Sequence, residues 1–284
     1  MRWERKGRSS NLEARRGGGG ARLGGGMGRM GLGGLVLVVL FAVITKQNPL
    51  QLLGALQGDG GMTATTEAAP LDDPAEEEEV QFVSFVLDDA QAMWREMLPR
   101  TGTAYRDARL VLFRDVVQSA CGMAQSATGP FYCPADERVY IDLGFYRELA
   151  DRFGAPGDFA EAYVLAHEIG HHVQTLEGTN AAVAQASRQR PDQGNALSVR
   201  MELQADCYAG IWAARAARAN RLEAGDLEEG LTAAAAVGDD RIQRETTGRV
   251  QPESFTHGTS EQRMTWFRRG FDSGDHGRCN TFAN

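Results

Sequence analysis

The sequence predicts an α+β domain with a small N-terminal sheet and a mainly helical remainder, preceded by one transmembrane helix. Three observations predict it. Residues 108–118 (ARLVLFRDVVQ) and 138–145 (RVYIDLGF) are short, alternate apolar with polar residues and are rich in β-branched and aromatic side chains, the pattern of strands. From Asp158 onward such runs nearly vanish and Ala-rich stretches with apolar residues three and four apart take over, so helices follow strands. Finally, residues 30–45 (MGLGGLVLVVLFAVIT) form an uncharged apolar run between Arg29 and Lys46.

The chain has 284 residues, 42% hydrophobic and 24% charged, which is ordinary for one folded domain with appendages. Its net charge of −8 is unevenly spread. Residues 1–46 hold nine Lys and Arg against two acids, a balance of +7, which leaves −15 for the rest. An acidic body excludes nucleic acid as a partner, since phosphate binding rests on Lys and Arg. The basic segment belongs with the apolar run instead. Sixteen residues are fewer than the ~20 that span a bilayer, but snorkelling Arg29 and Lys46 extend them, and residues 30–46 read as a membrane anchor. A cleaved signal peptide is the alternative, although no small-x-small site follows the run. The positive-inside bias places the basic, Gly-rich segment 1–29 in the cytoplasm and the rest outside the cell membrane, as a single-pass protein. Residues 47–79, with Gly58-Asp59-Gly60-Gly61 and the acidic run Glu76–Glu79, read as a flexible linker, and the domain proper as residues 80–284.

Cys121, Cys133, Cys207 and Cys279 are an even set, suited to an oxidising compartment. Of the three complete pairings, Cys121–Cys133 and Cys207–Cys279 is preferred, because Gly122, Gly129 and Pro130 can return the chain between the first two. No CxxC-type pair supports a zinc site built from cysteines.

The helical part carries the chemistry. Asp158, with Glu161 three residues on, reads as a capping box opening a helix to about Leu176, stopped by Gly178. On that helix lies His167-Glu168-Ile169-Gly170-His171. Histidines at i and i+4 stand one turn apart on one face, so two imidazoles reach one ion. Glu168, one residue after the first, directs its carboxylate toward water on that ion, the position of a general base. One Zn2+ per chain is the expected cofactor. The third ligand must come from elsewhere, since no His lies six residues after His171. Residues 196–219 form a second long helix in which Glu202 and Asp206 stand one turn apart. Glu202 is the expected third ligand, and Asp206 the acceptor for the Nδ1 proton of a ligand His. Apolar Leu203, Ala205, Tyr208, Ile211 and Trp212 around them argue against a solvated face.

Two further stretches have two readings each. His257 sits in a Gly/Ser/Thr-rich turn before a helix opened by Thr259 with Gln262 as its capping partner; it is a candidate catalytic residue for stabilising an oxyanion, or a structural loop residue. Residues 139–145 (VYIDLGF) are either the edge strand beside the cleft, pairing with an extended peptide, or an ordinary solvent-facing strand.

HEIGHHVQ at 167–174, ELQADCYAG at 202–210, GPFYCP at 129–134, VYID at 139–142, GDDRIQ at 238–243, FTHGTSEQR at 255–263 and CNTF at 279–282 together resemble the bacterial neutral zinc metallopeptidases. The opening MRWERKGRSSNLEARRG is similar to that family's N-terminus too. The resemblance covers nearly the whole chain apart from residues 47–79. It implies a zincin-like metallopeptidase fold of the Glu-ligand kind, a single N-terminal membrane segment and peptidase activity.

The expected function is thus a membrane-anchored zinc metallopeptidase acting on peptide or protein substrates, with water activated by zinc and Glu168 as general base. The competing reading is an inactive, zinc-stabilised extracytoplasmic binding module. Glu168 speaks against it, because a purely structural site needs no general base. A zinc hydrolase acting on non-peptide amides or esters is the third possibility, since the metal motif leaves the substrate to pocket shape.

Overall fold

The computed structural model describes residues 1–14, 74–125 and 129–283. The domain opens with β1 (Leu12–Ala14) and α1 (Pro74–Met97). In α1, Phe82, Val83, Val86, Leu87, Ala90, Met93 and Trp94 recur at spacings that put them on one buried side. Glu76 and Glu77 in its first turn and Arg95 in its last match the helix dipole.

Strands β2 (Arg109–Phe113), β5 (Phe131–Cys133) and β6 (Arg138–Asp142) complete a four-stranded sheet in the order β1-β2-β6-β5. The first three strands are parallel and β5 is antiparallel. Pairing Leu110 with Val139 and Leu112 with Ile141 puts these four in one layer against the helical core, as the two-residue period requires. Val111, Phe113 and Tyr140 point the other way, into a smaller cluster under the hairpin β3 (Val116–Ser119) and β4 (Gly122–Gln125). The Cys121–Cys133 disulfide ties that hairpin to β5.

The remainder is helical: α2 (Phe145–Asp151), α3 (Asp158–Leu176), α4 (Thr179–Gln189), α5 (Gly194–Arg218), α6 (Asp226–Ala236), α7 (Asp239–Thr247) and α8 (Ser260–Ser273). α5 is packed between α3 and α8. Its side chains from Leu203 to Ala214 are almost all buried, which is why an Ala-rich sequence serves: small residues let helices approach on several sides. The Cys207–Cys279 disulfide joins α5 to the C-terminal segment, and both expected pairings are present.

Several expectations are corrected. The class is a mixed, mainly helical α/β fold rather than strands followed by helices, because β1 from the extreme N-terminus enters the same sheet in parallel beside β2. The zincin-like architecture that the resemblance implied is not shown by this arrangement. The proposed transmembrane helix at 30–46 lies outside the described residues, and no described helix is long and apolar enough to cross a membrane. The single-pass cell-membrane topology is overturned by residues 1–14. They were expected in the cytoplasm, yet β1 pairs with β2, Trp3 packs edge-on to Phe82 at 5.5 Å, and the Met1 ammonium lies 2.5 Å from Asp158. Segments that share a core cannot sit on opposite sides of a bilayer.

Two local readings also change. α1 begins at Pro74, within the stretch read as linker, and residues 47–73 are outside those described. Gly157, with no side-chain cap, precedes α3, because the carboxylate of Asp158 is engaged by the Met1 ammonium instead. By contrast, the capping box of Thr259 and Gln262 on α8 is formed in full. Residues 139–142 form no edge: β6 is flanked by β2 and β5, and β5 ends the sheet among the described residues.

Candidate metal centre

The spacing of α3 sets the first half of the site. Tyr163, His167 and His171 recur every fourth residue and lie along one face, with Glu168 beside them. Gly170, between the two histidines, lets α5 come close: a Cβ there would lie 3.1 Å from the backbone of Ala205. That approach brings Glu202 and Asp206 to the same face.

Glu202 Oε2 lies 3.2 Å from His167 Nε2, and Glu202 Oε1 lies 3.4 Å from His171 Nε2. One donor atom from each of these three residues falls within 4.8 Å of the others. Both imidazoles have their other nitrogen engaged. His167 Nδ1 donates to Asp206 Oδ1 at 2.9 Å, and His171 Nδ1 donates to Gln174 Oε1 at 2.9 Å. With the protons on Nδ1, both Nε2 lone pairs face a carboxylate, and three acceptors converge on one point. Such a set needs a cation, and two nitrogens with one oxygen suit zinc. The same demand appears in the protonation equilibria. Burial alone would lower the pKa of His167, but Asp206 and Glu202 raise it to about 9. Burial likewise opposes ionisation of Glu202, yet His171 and His167 hold its pKa well below the usual carboxylate range.

Asp206 is fully buried and has its own cation. Arg263, on α8, donates from Nε to Asp206 Oδ2 at 2.8 Å and from Nη2 to Oδ1 at 2.9 Å, while the Tyr163 hydroxyl donates to Oδ1 at 2.5 Å. Against the cost of burial, Arg263 and then His167 bring the pKa of Asp206 down to about 2. The carboxylate therefore stays charged and orients the His167 ring.

Glu168 is buried, and burial raises its pKa, with His171 and His167 opposing. It lines a cavity of about 960 Å³ together with His167, His171, Glu202, Arg263 and His257. His257 is held from behind: its Nδ1 lies 3.1 Å from Asp239 Oδ1, while Asp239 Oδ2 accepts the backbone N–H groups of Thr256, His257 and Gly258. Its pKa is raised, chiefly by Asp239. The strand β5 contributes Phe131 and Tyr132 to the wall, and of residues 139–145 Phe145 lines it.

All six residues singled out in the sequence, His167, Glu168, His171, Glu202, Asp206 and His257, are thus brought to one place. Sequence reasoning missed Tyr163, Gln174, Asp239 and Arg263. Tyr163 and Gln174 could have been found, as they stand one turn from His167 and His171 on the same helix; Arg263 and Asp239 depend on packing between distant helices. His172 and His276 lie elsewhere. His172 is buried against the Arg106 carbonyl at 2.6 Å and the Tyr132 hydroxyl at 3.1 Å, and His276 pairs with Glu177 at 2.7 Å.

A family model described as "Putative neutral zinc metallopeptidase" matches residues 1–282. The uncharacterized protein YpfJ of Escherichia coli K12 is 46% identical over 287 residues, covering 100% of this chain and 99% of that one. The uncharacterized protein Rv2575 of Mycobacterium tuberculosis H37Rv is 44% identical over 207 residues, covering 69% of this chain and 68% of that one. No solved structure matches.

Proposed function

The chain belongs to the neutral zinc metallopeptidase family, and from that premise we propose that it hydrolyses peptide bonds with one zinc ion held by His167, His171 and Glu202. The observation that carries the reading is the convergence of these three donors, each imidazole oriented through its other nitrogen, beside the buried carboxylate of Glu168, which stands outside that set. Zinc bound there supplies Lewis acidity, acidifying water and polarising an amide carbonyl.

The chain's own residues do the rest. Glu168 accepts the proton of the attacking water and returns it to the leaving amine; burial suits the first step, because a raised pKa makes the carboxylate a stronger base. His257, held at Nδ1 by Asp239, which also raises its pKa, donates to the oxygen on which negative charge develops. β5, the last strand of the sheet, offers its backbone to an extended peptide laid along the cavity. Phe145, Phe153, Val164 and Ile242 give the cavity an apolar wall for substrate side chains.

The test is incubation of the protein with a mixed peptide library, with chelator and after zinc is restored. Cleavage abolished by chelator and recovered with zinc supports the proposal. A zinc-loaded protein that cuts no member of the library would favour the binding-module reading.

A further inference from the structure

His171 is tethered quite differently from His167. Where His167 leans on a carboxylate, His171 leans on a chain of two neutral amides. Gln174 Oε1 lies 2.9 Å from His171 Nδ1; Gln174 Nε2 donates to the Met201 carbonyl at 2.8 Å and to Gln204 Oε1 at 3.0 Å; and Gln204 Nε2 donates to the Cys279 carbonyl at 3.1 Å. Both glutamines are buried, Gln174 completely.

The polarity of this chain is not free. A main-chain carbonyl only accepts, so the atom of Gln204 facing Cys279 must be its NH2, and its oxygen must face Gln174. The Met201 carbonyl imposes the same choice on Gln174. Turning the Gln174 amide over would set its oxygen against two oxygens and its NH2 against His171, leaving buried acceptors unsatisfied, at a cost of roughly 1–3 kcal/mol for each such group. The oxygen of Gln174 is therefore held toward His171, and the imidazole must answer with an N–H at Nδ1. The outer end of the chain is covalently fixed. Cys279 is disulfide-bonded to Cys207, three residues beyond Gln204 on α5, the helix that also carries Glu202.

We propose that Gln174 and Gln204 are positioning residues: their amide chain, anchored on the Cys279 and Met201 carbonyls, fixes His171 as the Nδ1–H tautomer and so presents Nε2 to Glu202 and His167. The proposal rests on the reading of His171 as a zinc donor for its consequence, but the tautomer itself can be observed without metal.

The experiment compares wild type, Gln174→Leu, Gln204→Leu and His171→Ala. Nitrogen-15 NMR of the chelated protein, at a pH where the ring is neutral, reports the His171 tautomer, and competition with a chromophoric chelator reports zinc affinity. Wild type should show the Nδ1–H form alone. Gln174→Leu should give a mixture of tautomers and weaken zinc by about 10–100-fold, as loss of a partner behind a metal ligand does. Gln204→Leu should show a smaller shift in the same direction, because the Met201 carbonyl still holds Gln174. A Gln174→Leu protein that keeps the Nδ1–H form alone, or keeps wild-type zinc affinity, overturns the proposal. Should that variant not fold, an unchanged tautomer and affinity in Gln204→Leu would overturn it equally. If His171→Ala binds zinc as wild type does, the donor assignment fails, and the tautomer data still judge the amide chain.

Discussion

Replacing Arg263 by leucine strips a guanidinium from Asp206 and leaves a carboxylate with no exposed surface that, among the described residues, accepts from His167 and Tyr163. Arg263 itself is only 3% exposed, so solvent does not screen the pair. Removing one partner of a buried ion pair costs about 3–5 kcal/mol. Four hydrogen bonds go with it, at 2.8 and 2.9 Å to Asp206, 3.2 Å to the Val237 carbonyl and 3.3 Å to the Tyr163 hydroxyl, which places this case in the upper part of that range. Urea unfolding of the chelated protein measures the loss without a contribution from bound zinc. The double variant Arg263→Leu/Asp206→Leu removes both charges, so its cost should fall short of the sum of the single variants by about 2–3 kcal/mol, at the high end for residues in contact. Its zinc affinity should nevertheless drop about 10–100-fold, since His167 loses its acceptor. A single-variant cost below about 1 kcal/mol, or additive costs in the double variant, would refute the claim that Arg263 exists to keep Asp206 charged.

Glu202→Ala should remove a ligand and bring zinc content well below one per chain, read by metal analysis after dialysis; full retention would exclude Glu202 as a donor. Gly270→Ala should destabilise by about 3 kcal/mol or more, because the new Cβ would lie 1.9 Å from the Cys207 carbonyl oxygen and force α8 off α5, carrying Arg263 away from Asp206; a cost under about 1 kcal/mol in urea would contradict it. Stability of the chelated protein should fall as pH rises from 5 to 9. Burial pushes Glu79 and Glu161 up to about 7 and about 8, and Asp206 and Glu202, outweighing burial, raise His167 to about 9. In each case the folded state binds the proton more tightly than the unfolded chain, so the stabilisation present at low pH is lost through these values. Urea midpoints should decline over that window, less steeply in Glu161→Gln; midpoints rising with pH would be the wrong sign.

What could be read from the sequence divides along a physical line. The two helices bearing His167 and Glu202 were legible within a few residues, because helical periodicity and a Gly stop are local signals. The grouping of His167, His171 and Glu202 followed from spacing on those helices. The disulfides were legible because the turn signals between Cys121 and Cys133 leave a natural partner for Cys207. Illegible were the contacts that join distant segments. A three-residue strand such as β1 has no period to detect, and its parallel pairing with β2, about a hundred residues on, shows only in three dimensions. Charge counting read residues 1–29 as a cytoplasmic segment, whereas Arg5, Arg8 and Glu13 are spent on ion pairs with Glu78, Glu77 and Arg109 across the domain surface. Arg263 stood in a recognised motif, but its role depends on α8 packing against α5, which no spacing encodes. Neither reading of residues 139–145, edge strand or solvent-facing strand, anticipates that 139–142 are covered on that side by β5, which at three residues is a weaker sequence signal than the longer β6.

The account depends most on Glu168 as the proton-transferring group, and Glu168→Gln tests it directly, since glutamine keeps the size of the side chain and leaves His167, His171 and Glu202 in place. With zinc content matched to wild type, the rate of cleavage of a peptide found to be a substrate should fall by at least ~10²-fold, the low end for removing general acid–base catalysis. Wild-type cleavage by the zinc-loaded Gln variant would contradict the central claim and take Glu168 out of the mechanism.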